Sequence, residues 1–216
     1  MGFNVKFRLK ELVGWLKVFS LVYCFVFLGF FTVLFSPIFY EFLFKILGVY
    51  SSELSYEFVS RAIDDLILFF LHSSELSLEF WNLKEIKHFE DVRRIYDFLI
   101  LSFLGVCIFL SWFGFRFSEL EFKRAIKFAL GIVFLPLILF PVFSWFWIEV
   151  FHPILFSNDL WILNVNDLCF WIFPIEFFMG FYLIFVFIEV GGLAIFWFLG
   201  NYWFKGKKVL GLVLRK

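Results

Sequence analysis

The chain has 216 residues, 63% of them hydrophobic, with 40 Phe and 9 Trp, and its 19 basic side chains balance 19 acidic ones. That apolar share exceeds the roughly 45–50% of soluble domains and excludes an ordinary soluble protein. Three cysteines cannot form a disulfide framework, and no nucleic-acid partner is expected.

Residues 18–40 carry no charge and form the first of four runs long enough to cross a bilayer. This run is too long for a cleavable signal and no small-residue cleavage site closes it, so it is expected to stay as an anchor. The connection 41–97 is too long for a plain loop and has helical patterning. Leu54, Phe58, Ala62, Leu66 and Phe69 recur at helical spacing, with Ser51, Ser52 and Ser55 as caps. A second pattern starts at Asn82, where Glu85 three residues on resembles a capping box, and Leu83, Ile86, Phe89, Val92 and Ile95 form its stripe. This helix is predicted to run directly into the second span, residues 98–115. The apolar faces of the outer helices have two homes open to them, the membrane interface or one another.

The third span, 128–148, contains Pro136 and Pro141, which are expected to bend or loosen it. The segment 151–178 follows. It sets His152, Asn158, Asp159, Asn166 and Asp167 among Trp161, Trp171 and many phenylalanines. A short turn between membrane helices needs none of these, and polar groups in apolar surroundings are where chemistry concentrates. Pro153 disfavours helix at His152 and is expected to end the span there. The fourth span, 177–204, is interrupted only by Glu189. A carboxyl at that depth is expensive and is a candidate for function or for buried pairing, while Gly191 and Gly192 would let another helix approach. Cys24 and Cys107 fall inside spans and read as apolar filler.

Basic residues set the orientation. Four precede the first span, four lie in 116–127 and five follow the last span, whereas 41–97 holds six basic against eleven acidic residues and 149–176 holds none against four. The positive-inside rule puts both termini in the cytoplasm and 41–97 and 149–176 outside. The expected fold class is therefore an all-α membrane protein, one domain, with four transmembrane helices and a small helical extracytoplasmic cap.

All three histidines fall on the outer side. His72, at a helix end, reads as structural. His88 has Glu85 at i−3 and Asp91 at i+3 on or near one face, where a carboxylate would fix the imidazole tautomer and raise its basicity. His152 stands at the outer end of its span. There is no G-x-S-x-G elbow, no H-E-x-x-H and no phosphate-binding loop.

Two stretches, EIKHFEDVRRIYDFL at 85–99 and FHPILFSNDLWILNVNDLCFWIFPIEFF at 151–178, resemble in order, spacing and placement the four-helix bacterial membrane family of lipoprotein intramolecular transacylases. The likeness extends over nearly the whole chain in topology, and its specific motifs cover these two stretches. The family's two motif histidines fall on His88 and His152. The chain departs from the family pattern at Asn164-Val165-Asn166, where a proline is common, and at Cys169-Phe170-Trp171.

The resemblance implies a bacterial plasma-membrane enzyme whose partners are membrane lipid and a diacylated lipoprotein. It would move an ester-linked chain from the diacylglyceryl group of the N-terminal cysteine to that cysteine's own α-amino group, leaving a lyso form. His88 and His152 would be the acid and base, in either assignment, or one a transient acyl acceptor. Asp91 would orient His88, with Glu85, Asn158, Asp159, Trp161 and Asp167 in support and no cofactor or metal. Two alternatives stand beside it: a metal-dependent outer-facing lipid hydrolase using the same histidines and nearby Asp, and a non-catalytic membrane scaffold or lipid-binding protein.

Overall fold

The computed structural model describes residues 2–113 and 117–213, with backbone alone at 2–8 and 208–213. Gly114 and Phe115 of the second expected span, and Arg116, Arg215 and Lys216 of the charge pattern, lie outside the described residues. Among those described there is no strand, and four helical stretches are long and apolar enough to cross a membrane: Leu9–Leu34, Leu83–Phe113, Glu119–Leu155 and Ile175–Lys207.

In chain order the helices are α1 (Gly2–Leu34), α2 (Pro37–Leu47), α3 (Tyr56–Phe70), α4 (Leu83–Phe113) and α5 (Glu119–Phe134). A 3₁₀ stretch (Leu135–Val142), the short α6 (Phe143–Phe146) and a π-helical stretch (Trp147–Phe151) lead into α7 (His152–Leu155). The short α8 (Leu168–Ile172) and α9 (Ile175–Val213) complete the chain.

The expected run 18–40 is divided between α1 and α2. Pro37 forces Ser36 into an extended conformation (φ −103°, ψ 103°), which no helix passes through, and then serves as the first helical residue of α2. Around Pro136 and Pro141 the third helix leaves α geometry and tightens to 3₁₀, where a bend or loosening was expected. The expectation that Pro153 ends the helix at His152 is corrected: His152 has helical angles (φ −65°, ψ −47°) and helix continues to Leu155. The backbone bond that proline forfeits falls just after a turn that has already widened to π spacing, so the chain accommodates the ring without stopping.

The chain divides into two compact units. One comprises residues 31–101 and 137–185. Its core joins Tyr40, Leu43 and Phe44 of α2, Val59, Ala62, Ile63, Leu66, Phe69 and Phe70 of α3, Trp81, Phe89 and Tyr96, and Cys169, Ile172 and Phe177. The helical stripe read from 54–70 thus packs inward on other elements of this unit. Ser55 caps α3 by accepting from the Phe58 N–H at 3.2 Å. Trp81, 1% exposed, donates its indole N–H to Asp65 at 3.0 Å, so this buried aromatic keeps its polar edge satisfied. Gly48, in the left-handed region at φ 67°, closes α2 and turns the chain toward Ser51. His72, also left-handed at φ 56°, bonds Asp97 at 2.9 Å on the surface, in keeping with a structural role.

The other unit comprises residues 1–30, 102–136 and 186–216. Its core is Val18, Val22, Phe122, Ala125, Ile126, Ala129 and Leu193. A capping box starts α5: Ser118 Oγ accepts from the Glu121 N–H, and the Glu121 carboxylate accepts from the Ser118 N–H at 2.7 Å. Phe187 (80% exposed) and Trp112 (83%) stand on open faces of their helices, the places lipid would occupy.

Candidate active site

The site is built on the first turns of α4. Asn82 Oδ1 accepts from the N–H groups of Lys84 and Glu85, and the Glu85 carboxylate accepts from the Asn82 N–H at 2.9 Å. This is the reciprocal cap read from the sequence, with Asn in place of Ser or Thr. Glu85 is 1% exposed, and its second oxygen accepts from the Cys169 N–H at 2.8 Å. The carboxylate therefore fastens the start of α4 to α8 and does not hold His88, as the i−3 spacing had led one to expect.

Asp167 works from the opposite side. Buried at 2% exposure, it accepts from Asn82 Nδ2 at 2.8 Å, from the Asn164 N–H at 2.8 Å and from Lys84 Nζ at 3.2 Å. Burial alone would raise this carboxyl, but these donors outweigh it and hold Asp167 below the usual carboxylate range. Lys84 also reaches the Ile162 carbonyl. Asn82, Lys84, Glu85 and Asp167 thus clamp the 151–178 segment against α4. Asn82 and Lys84 escaped the sequence reading as tertiary anchors, although the cap at Asn82 marked the spot.

This clamp brings His88 and His152 together, with ring centroids 6.3 Å apart and no direct hydrogen bond between them. His152 donates its Nδ1–H to the Trp147 carbonyl at 2.6 Å, because a carbonyl can only accept. In the neutral ring the lone pair is then left on Nε2. Trp161 stacks on the ring at 4.7 Å and Phe156 packs at 5.7 Å from it. Trp161 is thus a wall of the cavity. Trp147 and Phe156 were not singled out in the sequence. The signal for Phe156 was its i+4 offset from His152; for Trp147 there was none, since an i−5 contact requires the π turn.

His88 meets Phe156 edge-on at 5.0 Å, and its Nδ1 is buried without a hydrogen-bond partner.

Asp91 does not hydrogen-bond His88. One of its oxygens accepts from Asn158 Nδ2 at 2.8 Å and the other from Arg94 at 2.7 Å. Asn158 Oδ1 accepts in turn from the Leu160 N–H, bracing the loop that carries Trp161. The Asp159 carboxylate makes no hydrogen bond to this cluster.

Both histidines line a cavity of about 900 Å³. Its walls are mainly apolar, with Phe89, Trp147, Trp161, Trp171, Phe173 and Phe178 among them. Glu189 does not line it. Among the described residues no three His, Cys, Asp or Glu side chains converge to hold a metal ion. Two imidazoles facing a mainly apolar cavity are equipped to move protons.

A family model described as lipoprotein intramolecular transacylase Lit matches residues 15–178. A comparison with curated protein sequences finds no match. Among solved structures, that of the membrane integral lipoprotein intramolecular transacylase Lit from Bacillus cereus is similar, with a TM-score of 0.80 and 19% identity over 94% of this chain and 99% of that one. A histidine-to-alanine variant of the same Bacillus cereus protein gives a TM-score of 0.77 at 19% identity, over 97% of this chain and 100% of that one. At that identity the likeness establishes a shared fold.

Proposed function

The chain belongs to the lipoprotein intramolecular transacylase family, an acyltransferase family of integral membrane proteins, and from that premise we propose that His152 and His88 carry out the acyl shift by acid/base catalysis. The substrate is a lipoprotein whose N-terminal cysteine bears a diacylglyceryl group. The α-amino nitrogen attacks the carbonyl carbon of one ester. The amine's proton passes to His152 Nε2, the carbon–oxygen bond to glycerol breaks, and the glycerol oxygen takes a proton. The products are an amide and a glycerol hydroxyl in one molecule of unchanged mass, and no co-reactant is consumed.

The observation that carries this reading is the fixed tautomer of His152, 6.3 Å from His88 across one wall of an apolar cavity. A lone pair on Nε2 is what a base needs, and the second ring is near enough to return a proton through the reacting group. The free amine, with an ordinary pKa of roughly 7.7–8.0, is partly protonated at neutrality and gains from such a base. Nucleophile and ester already share a molecule, so orientation in the cavity contributes up to roughly 7–11 kcal/mol in favourable cases without a covalent enzyme intermediate.

The distribution of basic residues supports a bacterial plasma-membrane protein with both termini in the cytoplasm and this site at the outer surface. The test is mass spectrometry with fragmentation of a diacylated lipopeptide incubated with purified protein. The wild type yields the N-acylated lyso form, and His88→Ala and His152→Ala do not. Full conversion by both variants overturns the assignment.

A further inference from the structure

Glu53 is the only Asp, Glu, Lys or Arg among the residues lining the cavity that holds His88 and His152. It sits in a tight turn: Ser51 Oγ accepts from the N–H groups of Glu53 and Leu54 at 3.3 and 3.0 Å, and the Ser51 N–H bonds the Leu54 carbonyl at 3.1 Å. The turn fixes the backbone and leaves the carboxylate uncommitted, with no hydrogen bond or ion pair to any described residue.

Glu53 also lines a second cavity of about 840 Å³, and it shares that position with Leu54 and Trp171. Both are walled mainly by aromatic and aliphatic side chains, and the second adds Asn82, Lys84, Glu85, Asn166 and Asp167. Lys84 and Asp167 there are paired with each other, and Glu85 accepts from the Asn82 and Cys169 N–H groups, which leaves Glu53 as the carboxylate free to meet a cation from outside.

We propose that Glu53 binds the α-ammonium group of the substrate cysteine at the join between the two cavities. This rests on the acyl-shift reading given above. In a diacylglyceryl lipoprotein the apolar chains and the polar peptide meet at one residue, and that residue carries the amine. An unpaired carboxylate shared by the histidine cavity and one that carries amide and charged side chains matches this layout: acyl chains on the histidine side, peptide on the side of Asn82 and Asn166. It also makes the site selective for reaction stage. Acylation turns the cation into a neutral amide, so Glu53 favours the free-amine substrate and loses its hold on the product. Glu53 is a binding residue, and the proton transfers stay with the histidines.

The experiment uses two lipopeptides with ether-linked chains that cannot be transferred, one with a free amine and one N-acetylated. Each is titrated against purified full-length protein, with fluorescence of the cavity tryptophans as readout. The wild type binds the free-amine probe about tenfold tighter. Glu53→Gln and Glu53→Ser bind both probes equally, with N-acetyl affinity as in the wild type, which also reports that the variants are folded. Equal binding of the two probes by the wild type, or a preference that survives in either neutral variant, overturns the proposal. The ester-linked lipopeptide assay separates the two readings. An acyl shift without amine preference removes Glu53 alone, and a Glu53-dependent preference without any acyl shift removes the reaction but keeps the recognition.

Discussion

The carbonyl oxygen of Trp147 accepts two hydrogen bonds from His152, one from its backbone N–H and one from its ring Nδ1–H at 2.6 Å. The first is the five-residue reach of a π turn, and the second follows because that turn leaves the same carbonyl beside the imidazole. Proline one residue later helps keep the turn wide, since position 153 has no N–H to draw the ladder back to four-residue spacing. Pro153→Ala is expected to restore that bond, stabilise the helix by about 1 kcal/mol and release the imidazole from its tautomer. Lyso-form production per folded molecule then falls about tenfold while the melting temperature holds or rises. A variant as active as the wild type would detach the tautomer from the chemistry.

The sequence carried the pairing of His88 with His152 through their motifs and the cap at Asn82 through its spacing to Glu85. What it could not carry was which partner each carboxylate chose. Glu85 and Asp91 share a helical neighbourhood with His88, yet Glu85 goes to Cys169 and Asp91 to Asn158, contacts that span 84 and 67 residues. Helical periodicity reports faces and is silent on which distant backbone N–H arrives there. Pro153 misled for a related reason: its cost to a helix depends on whether the preceding turn is α or π, and local sequence does not distinguish them. Glu53 went unnoticed because nothing in its tripeptide differs from an ordinary exposed turn until the cavity beside it is seen.

Asp91 offers a direct comparison of the two pictures. A carboxylate that fixed the His88 tautomer would cost about 10–100-fold in rate when neutralised. Here its oxygens are taken by Asn158 and Arg94, so Asp91→Asn is expected to lower the acyl-shift rate less than tenfold. Asn158→Ala should have an effect of similar size, because either change loosens the loop bearing Trp161. The double variant would then be little worse than the singles, as for residues acting through one shared bond. A hundredfold loss in Asp91→Asn alone, with Asn158→Ala normal, would return Asp91 to the role of orienting His88.

Glu189 stands apart from this cavity and has a different test. It is 1% exposed within its own unit, one of its oxygens has no hydrogen-bond partner, and the other lies where a side chain on Gly29 would begin. A Cβ at Gly29 would sit 1.6 Å from that oxygen, whereas Gly191 has open space and Gly192 meets only the ring of Phe25. The close approach expected beside Glu189 is thus made by a glycine on α1. Gly29→Ala is expected to destabilise the protein by about 1–3 kcal/mol through overpacking, read as a lower melting temperature in detergent. Glu189→Ala removes the obstructing carboxyl, so Gly29→Ala combined with Glu189→Ala should recover much of that loss. If the two losses simply add, Gly29 and Glu189 are not in contact. If Glu189→Ala abolishes the acyl shift while the melting temperature rises, the carboxyl has a functional duty that packing does not explain.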